Sequence, residues 1–189
     1  MIVRELSRTL THLLAGLAMV AVVTSLTGCV TQQILPYQPS VANQAKLGSL
    51  PRAARFQVTT AGGEPTDVQT TIRSMRISAP GDGSWSAFLS QALRTELSAS
   101  GNYDANAPAI LEVTLKEVKI VDGGAALTGR FVVHQAQSVR YDKVLRVEAH
   151  WDTDFLAALA ASNGLNQTTA IFQALLRKLF DDPDFIKTS

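Results

Sequence analysis

The first thirty residues constrain this chain most, because they carry a segment made for contact with a membrane. Residues 9–30 have no formally charged side chain, and Arg4 and Arg8 precede them with Glu5 in between. A cationic start, an apolar run and small residues after it are typical of a secretory signal peptide. The apolar run is also long enough to span a bilayer as a helix, so its length alone leaves both interpretations open.

The end of the apolar run favours the signal peptide. Leu26, Thr27, Gly28 and Cys29 stand there in order, and this tetrapeptide resembles the lipobox of bacterial lipoproteins. The resemblance implies cleavage between Gly28 and Cys29, with an S-diacylglycerol group and an N-acyl chain such as palmitate on Cys29. A buried free cysteine is the alternative interpretation of a single Cys.

Lipidation of Cys29 would decide where the protein is located. Each buried methylene contributes about 0.8 kcal/mol, and two chains already give stable anchoring. Val30 follows the cysteine, whereas an aspartate at this position favours inner-membrane retention in enteric lipoproteins. The resemblance therefore implies a lipid anchor in the outer membrane on the periplasmic side, with the inner membrane left open.

Composition limits the remaining function classes. The 189 residues are 46% hydrophobic and 17% charged, with a net charge of +1, which allows one folded domain and excludes a disordered chain. The neutral balance argues against nucleic acid as a partner. One cysteine excludes an intrachain disulfide and a cysteine zinc site.

Three segments follow from these patterns. Residues 1–28 are the predicted signal peptide, 29–51 a lipidated tether, and 52–189 a periplasmic domain. The tether prediction rests on Pro36, Pro39 and the absence of any helical or strand period. The alternative is that the apolar side chains of this segment, Ile34, Leu35 and Tyr37, add an extended edge to the domain.

Hydrophobic periodicity predicts two long helices. Residues 84–100 have one apolar stripe, with Ser84 as the N-cap and Gly101 after the end, and with Arg94 and Glu96 facing water. Residues 168–180 form the second helix. A shorter helix is expected over 155–162 and ends at Asn163 and Gly164.

Alternating patterns predict the strands, over residues 55–60, 70–78, 110–121, 127–140 and 144–151. The last three form an antiparallel meander, with turns at Asp122–Gly124 and Tyr141–Lys143. Val144, Arg146, Glu148 and His150 share one face of the last strand. The fold class is therefore predicted as α+β, an antiparallel sheet of about four strands with two helices on one face, in the order β-α-β-β-β-α.

The domain also resembles the YajG-like and LptE-like small lipoproteins of proteobacterial outer membranes. The similarity to the YajG-like group lies in residues 97–101 with Tyr103, in 111–115, in Phe155 and Ala157, and in 170–179 with Phe185 and Ile186. It implies the fold and the compartment, and it implies no active site.

No catalytic, cofactor-binding or metal residue is expected. Asp152 and Asp154 fit an acid/base or metal pair, but a helix cap and a solvated charge explain them more simply. His150 with Asp152 lacks a nucleophile, so His150 and His134 are interpreted as ordinary strand residues. The acidic cluster Asp181, Asp182 and Asp184 lacks the glycine and distal glutamate of a calcium loop, and is expected to be solvated.

The glycines before the first long helix allow two interpretations. Residues 81–84, with the sequence Gly-Asp-Gly-Ser, precede a helix N-terminus, where phosphate groups often bind. The segment lacks a lysine, and Asp82 would repel an anion. A turn followed by a cap is therefore predicted.

These patterns favour a lipid-anchored, non-enzymatic binding or assembly module with an envelope protein as partner. The alternative is an auxiliary lipoprotein of a lipid or solute transport system, and an envelope hydrolase is a third hypothesis. An apolar pocket between sheet and helices would favour transport. An exposed sheet edge or apolar patch would favour a protein partner.

Overall fold

A computed structural model describes the chain over residues 30–51, 53–153 and 157–188. Thr31–Ser189 form one compact unit. Gly28 and Cys29 lie outside the described residues, as do Asp154 and Phe155. The elements in chain order are β1 (Val30–Gln33), α1 (Val41–Leu47), β2 (Phe56–Thr60), β3 (Asp67–Gln69), β4 (Thr71–Ile72), β5 (Met75–Ser78), α2 (Trp85–Ala99), β6 (Ala109–Val121), β7 (Gly124–Gln135), β8 (Ser138–His150), α3 (Ala157–Phe180) and α4 (Pro183–Ile186).

The main sheet has the strand order β2-β6-β7-β8, and β3 also pairs with β6. Strands β6, β7 and β8 form the predicted antiparallel meander. Strands β2 and β3 run parallel to β6, so the prediction of a purely antiparallel sheet is wrong. The reason is that α2 crosses over between β2 and β6 and returns the chain to the end of the sheet where β2 began.

The turn between β7 and β8 also differs from the prediction. It lies at Ala136 and Gln137, both with positive φ, whereas Tyr141 and Lys143 lie inside β8. Neither turn residue is Gly, Asn or Asp, the residues that usually signal this conformation. The single strand predicted over 70–78 is likewise divided, because Arg73 takes a φ of 54° between β4 and β5. With β1, these two strands form a small second sheet in the order β1-β5-β4.

Helix α2 matches its prediction in extent and in both ends. The Ser84 Oγ accepts a 3.0 Å hydrogen bond from the backbone N–H of Ala87, and Gly101 takes a φ of 77° after the helix. Helix α3 is one continuous helix where two were predicted, over 155–162 and 168–180, because it passes through Gly164 without a break. With α1 and α4, which no pattern predicts, the described residues contain four helices, more than the two packed on the sheet in the predicted fold.

The core fills the space between the helices and one face of the main sheet. Leu93 in the middle of α2 and Leu175 in α3 are both fully buried, as their positions in the two stripes predict. Aromatic side chains join the helices, since Trp85 stacks on Phe172 with ring centroids 5.8 Å apart and Phe88 meets the same ring edge-on.

Residues 31–50, here called the strap, are folded onto the domain and differ in this from the predicted tether. Ile34, Tyr37 and Leu47 are buried in the core, whereas Leu35 is 79% exposed. The backbone N–H of Ile34 donates to the Ser78 carbonyl at 3.0 Å. An extended edge is added by β1, which pairs with β5, and Ile34 continues it by one hydrogen bond. Tyr37 lies beyond this edge and is buried without being part of a strand. The strap was missed because its few apolar residues follow no single period.

The strap is fixed to α2 by a buried carboxylate. Glu96 was predicted to face water but is fully buried. Its Oε1 accepts hydrogen bonds from the Tyr37 hydroxyl, the Ser40 backbone N–H and the Asn43 amide, at 2.6, 2.9 and 2.9 Å. Its Oε2 accepts one from the Gln44 amide at 2.5 Å. The four donors replace the water that an exposed carboxylate would have.

Candidate interaction surface

One face of the main sheet packs on the helices, and the other carries half-exposed and exposed side chains in the part of the chain that the structure describes. Along β7 and β8, alternate residues such as Phe131, Val133 and Leu145 point into the core. The residues between them, with Glu117 of β6, form what is here called the open face. Its members are Glu117, Thr128, Arg130, Asp142, Val144, Arg146, Glu148 and His150. The face shared by the last four even-numbered residues of β8 was predicted from the sequence.

Cross-strand ion pairs order the charges of the open face. Arg130 donates two hydrogen bonds to the Asp142 carboxylate, at 2.7 and 2.5 Å. Arg146 pairs with Glu117 on β6 and with Glu148 at 2.8 Å. Such exposed pairs contribute little stability individually. Their effect is to hold each charge at a fixed place on the sheet.

The pairs also keep the carboxylates ionised. Hydrogen bonding from Arg130 lowers the pKa of Asp142 below its ordinary value. Burial acts to raise the pKa of Glu117, but hydrogen bonds from Thr128 and Arg146 outweigh burial and lower it. The open face therefore carries alternating, permanent charges at neutral pH.

Strand β8 is an edge of the main sheet. It runs for 13 residues, and two of its valines are prominently exposed, Val139 at 58% and Val144 at 60%. The backbone N–H of Trp151, just after β8, donates to Gly123 on the β7 side. Since backbone groups alternate in direction along a strand, those of Val144 and Arg146 point away from β7. Such an edge is a template for pairing with another strand.

One side chain partly covers this edge. The Lys178 Nζ on α3 donates a 2.8 Å hydrogen bond to the Arg146 carbonyl. Lysine at an edge is a known device against uncontrolled pairing. Lys178 is itself exposed and can withdraw from the edge.

The predicted histidine and aspartate candidates do not form a cluster. His134 lies on β7 with its Nε2 4.0 Å from a carboxylate oxygen of Glu112, and His150 lies exposed at the end of β8. Asp152 follows in an exposed loop, and Asp154 is outside the described residues. Across the part of the chain that the structure describes, no three His, Cys, Asp or Glu residues are placed to hold a metal ion.

The acidic cluster near the C-terminus is structural rather than simply solvated. Asp182 was expected in water, but its carboxylate accepts hydrogen bonds from Tyr141 at 3.1 Å and from Lys143 at 2.9 Å. It also caps α4 by accepting from the Asp184 backbone N–H. Burial opposes ionisation, but the bonds from Lys143 and Asp184 outweigh it and lower the pKa of Asp182. Asp181 pairs with Lys46 at the surface, at 2.8 Å.

The N-terminus of α2 is occupied by a carboxylate of the same chain. Glu64 accepts hydrogen bonds from the backbone N–H groups of Trp85 and Ser86, at 2.9 and 3.2 Å, and from the Ser84 hydroxyl at 2.5 Å. These are the donors that a bound phosphate would need. The predicted turn and cap are present, and Glu64 is a partner that the sequence pattern did not indicate.

A surface groove of about 700 Å³ lies beside this helix start. Its lining combines apolar side chains, Val68, Trp85 and Val121, with polar ones that include Glu64 and Arg76. The groove lies on the surface, between β3, the small sheet and the start of α2. It is not the apolar pocket between sheet and helices that a lipid carrier was expected to have.

The predicted anchor, Cys29 with cleavage after Gly28, lies outside the described residues. Among the described helices, none has the length and apolar character needed to cross a bilayer.

Comparison with known proteins gives a likeness of fold. No family model matches the sequence, and no curated protein matches it. Among solved structures, the chain is similar to the crystal structure of protein XCC0632 from Xanthomonas campestris, described as a member of the DUF330 family, with a TM-score of 0.53. The two share 10% sequence identity, and the likeness covers 80% of this chain and 95% of that one. At this identity the likeness concerns the fold alone. The similar structure is that of a bacterial protein.

Proposed function

We propose that this protein is a bacterial lipoprotein, anchored by acyl chains on Cys29 at the periplasmic side of the outer membrane, and that it works as a non-enzymatic binding or assembly module. Its partner would be a protein of the envelope, contacted through β8 and the open face. The proposal includes the resemblance of the domain to the YajG-like and LptE-like small lipoproteins.

One observation carries the choice of a protein partner. Strand β8 offers a long edge with exposed Val139 and Val144, beside charges that Arg130 and Arg146 hold in fixed places. A strand added at such an edge gains main-chain hydrogen bonds, and the side chains of the edge give specificity.

The anchor is supported by the sequence at the end of the apolar run. In the mature protein only Val30 would separate Cys29 from Thr31, where the compact unit begins. Because the strap is folded, the domain would be held close to its lipid rather than on a flexible tether of about 20 residues.

Two measurements on the full-length protein test this proposal. Cys29→Ser should abolish lipidation and leave unprocessed precursor, and normal processing with membrane-bound mature protein in this variant would contradict the anchor. A photo-crosslinking amino acid at Arg146 should give a covalent protein adduct in cells. The same probe at the exposed Gln91 of α2 is the control. Equal yields of adduct at the two positions, or no adduct at either, would contradict the proposal that β8 and the open face bind a protein.

The groove supports a second candidate, an auxiliary lipoprotein that carries a lipid or solute between membranes. Its volume of about 700 Å³ is within the range of small-molecule sites, and Trp85 lies in its wall. Titration with a fatty acid should then change the fluorescence of Trp85, and Trp85→Phe should remove that change. An unchanged spectrum would contradict this candidate.

A further inference from the structure

We propose that the strand which completes the β8 edge belongs to a second copy of this chain. The two β8 strands would pair antiparallel about a two-fold axis at Val144. This inference rests on the proposed function of β8 as a docking surface, and it names the partner.

The side chains of β8 are complementary to themselves when the strand is reversed. With Val144 on the axis, Asp142 of one copy lies opposite Arg146 of the other, and Val144 lies opposite its own counterpart. Opposite charges and β-branched pairs at directly facing positions stabilise a sheet. Asp142, Val144 and Arg146 are each well exposed, so all three are available for this pairing.

Charge favours this register over its nearest alternatives. A shift of the axis to Asp142 would set two aspartates face to face, and a shift to Arg146 would do the same with two arginines. Like charges at facing positions are destabilising. An axis at Leu145 would set Asp142 of one copy opposite Glu148 of the other, so it also places like charges face to face. The next pair out, Arg140 with Glu148, again joins opposite charges, although Arg140 lies at the β-bulge of this strand.

Existing contacts of the edge are compatible with a second copy. Asp142 keeps its bonds to Arg130 while it faces the partner's arginine, so the intrachain ion pairs extend into a ladder across the interface. Lys178 has to leave the Arg146 carbonyl, which then accepts a backbone N–H instead. The Arg146 carbonyl therefore accepts one hydrogen bond both in the single chain and in the pair.

A disulfide at the axis tests the geometry. Facing residues that exchange hydrogen bonds have Cα atoms about 5.5 Å apart, which a disulfide can bridge. Full-length Val144→Cys in detergent-solubilised membranes, treated with a mild oxidant, should give a reducible species of twice the mass. The unchanged protein controls for Cys29, and Val68→Cys, an exposed valine away from the edge, is the matched control. Cross-linking no faster than in Val68→Cys would overturn the proposal.

Two charge reversals test the register. Asp142→Arg alone places arginine opposite arginine, and Arg146→Glu alone places glutamate opposite aspartate, so each variant should self-associate about tenfold more weakly. A mixture of the two variants restores both opposite-charge pairs and should associate as the unchanged protein does. Thermal melts of each variant separate a folding defect from a lost interface, and Lys116→Glu on the central strand β6 is the charge control. Folded variants whose mixture stays monomeric would overturn the register.

The same experiments distinguish this inference from the proposed function. If the probe at Arg146 cross-links only to a different envelope protein and Val144→Cys gives no dimer, the second copy is wrong and the binding surface stands. If neither position gives any adduct, both are wrong.

Discussion

The Tyr37 hydroxyl donates a 2.6 Å hydrogen bond to the carboxylate of Glu96, and both residues are buried. The bond joins the strap to α2 across 59 positions of sequence. A buried carboxylate without donors would cost several kcal/mol, so the fold of α2 around Glu96 requires the strap to be in place.

Tyr37→Phe should therefore destabilise the protein by about 1–3 kcal/mol, because it removes a hydrogen bond to a charged group and leaves the acceptor buried. Urea unfolding at neutral pH measures the loss. Tyr103→Phe is the matched control, since Tyr103 is only partly buried against the core. An equal, small effect of both changes would contradict the role given to Tyr37.

Alkaline pH should weaken the fold through two tyrosines. Burial and the nearby carboxylates raise the pKa of Tyr37 and of Tyr141 above the ordinary value of 10.0. Because both side chains remain protonated in the fold, their contribution is complete below pH 10. It is lost as the pH rises above 10, where the unfolded chain ionises more readily.

The slope of unfolding free energy against pH tests this between about pH 9 and 12. The double variant Tyr37→Phe/Tyr141→Phe should lose less stability over this range than the unchanged protein. Lysines titrate in both proteins, so they cancel in the difference. Identical slopes would contradict the assignment to the tyrosines.

The elements that the sequence predicts best are those whose signal is local. The apolar stripe centred on Leu93 predicts α2, and Ser84 and Gly101 predict its two ends. The alternation from Leu111 to Trp151 predicts the meander. The parallel direction of β2 depends on where α2 packs, and the sequence of β2 itself carries no signal for that position. For the same reason Gly164, usually a stop signal, could not be recognised as a helix residue.

The candidate surface was predictable in part. The alternation along β8 places Val144, Arg146 and Glu148 on one face, but it does not say that β8 is an edge. That depends on the strand order, which is a property of the whole sheet. Glu96 was missed because its donors lie more than fifty positions away in the strap, and a charged residue beside a helix stripe is typical of a solvated position.

Leu47→Ala should cost about 2–5 kcal/mol, since the Leu47 side chain of the strap is buried in the core and its truncation leaves a cavity. Leu35→Ala in the same strap is the control, because Leu35 is exposed and should change stability by less than about 0.5 kcal/mol. Thermal or urea unfolding of both variants gives the comparison. Equal stability of the two variants would indicate that residues 31–50 act as a free tether after all.

Asp182→Asn should destabilise the protein by about 1–3 kcal/mol at neutral pH, because the amide can still cap α4 but loses the charge that binds Lys143. Since the pKa of Asp182 is lowered, its contribution is present above the ordinary carboxyl pKa and disappears as the pH falls through the lowered value. The difference between the variant and the unchanged protein should therefore shrink in acid. Asp181→Asn, at an exposed pair with Lys46, should cost less than about 1 kcal/mol. A difference that stays constant down to low pH would contradict the ion pair.

Gly164→Ala sets two effects against each other. Alanine is favoured over glycine inside a helix by about 1 kcal/mol, and Gly164 lies inside α3. A Cβ at this position would come within 1.9 Å of the Ile72 Cδ1 and 3.6 Å of the Ile77 Cδ1. Both isoleucines are buried, so the clash must displace core side chains, which costs about 1–3 kcal/mol. The clash should outweigh the helix preference, and Gly164→Ala should lower the melting temperature.

Ile72→Val provides the matched test, because it deletes the methyl group that the new Cβ would meet. The double variant Gly164→Ala/Ile72→Val should be more stable than the sum of the two single changes predicts, with a coupling of about 1 kcal/mol or more. Strictly additive effects would mean that α3 does not approach β4 as closely as the structure has it.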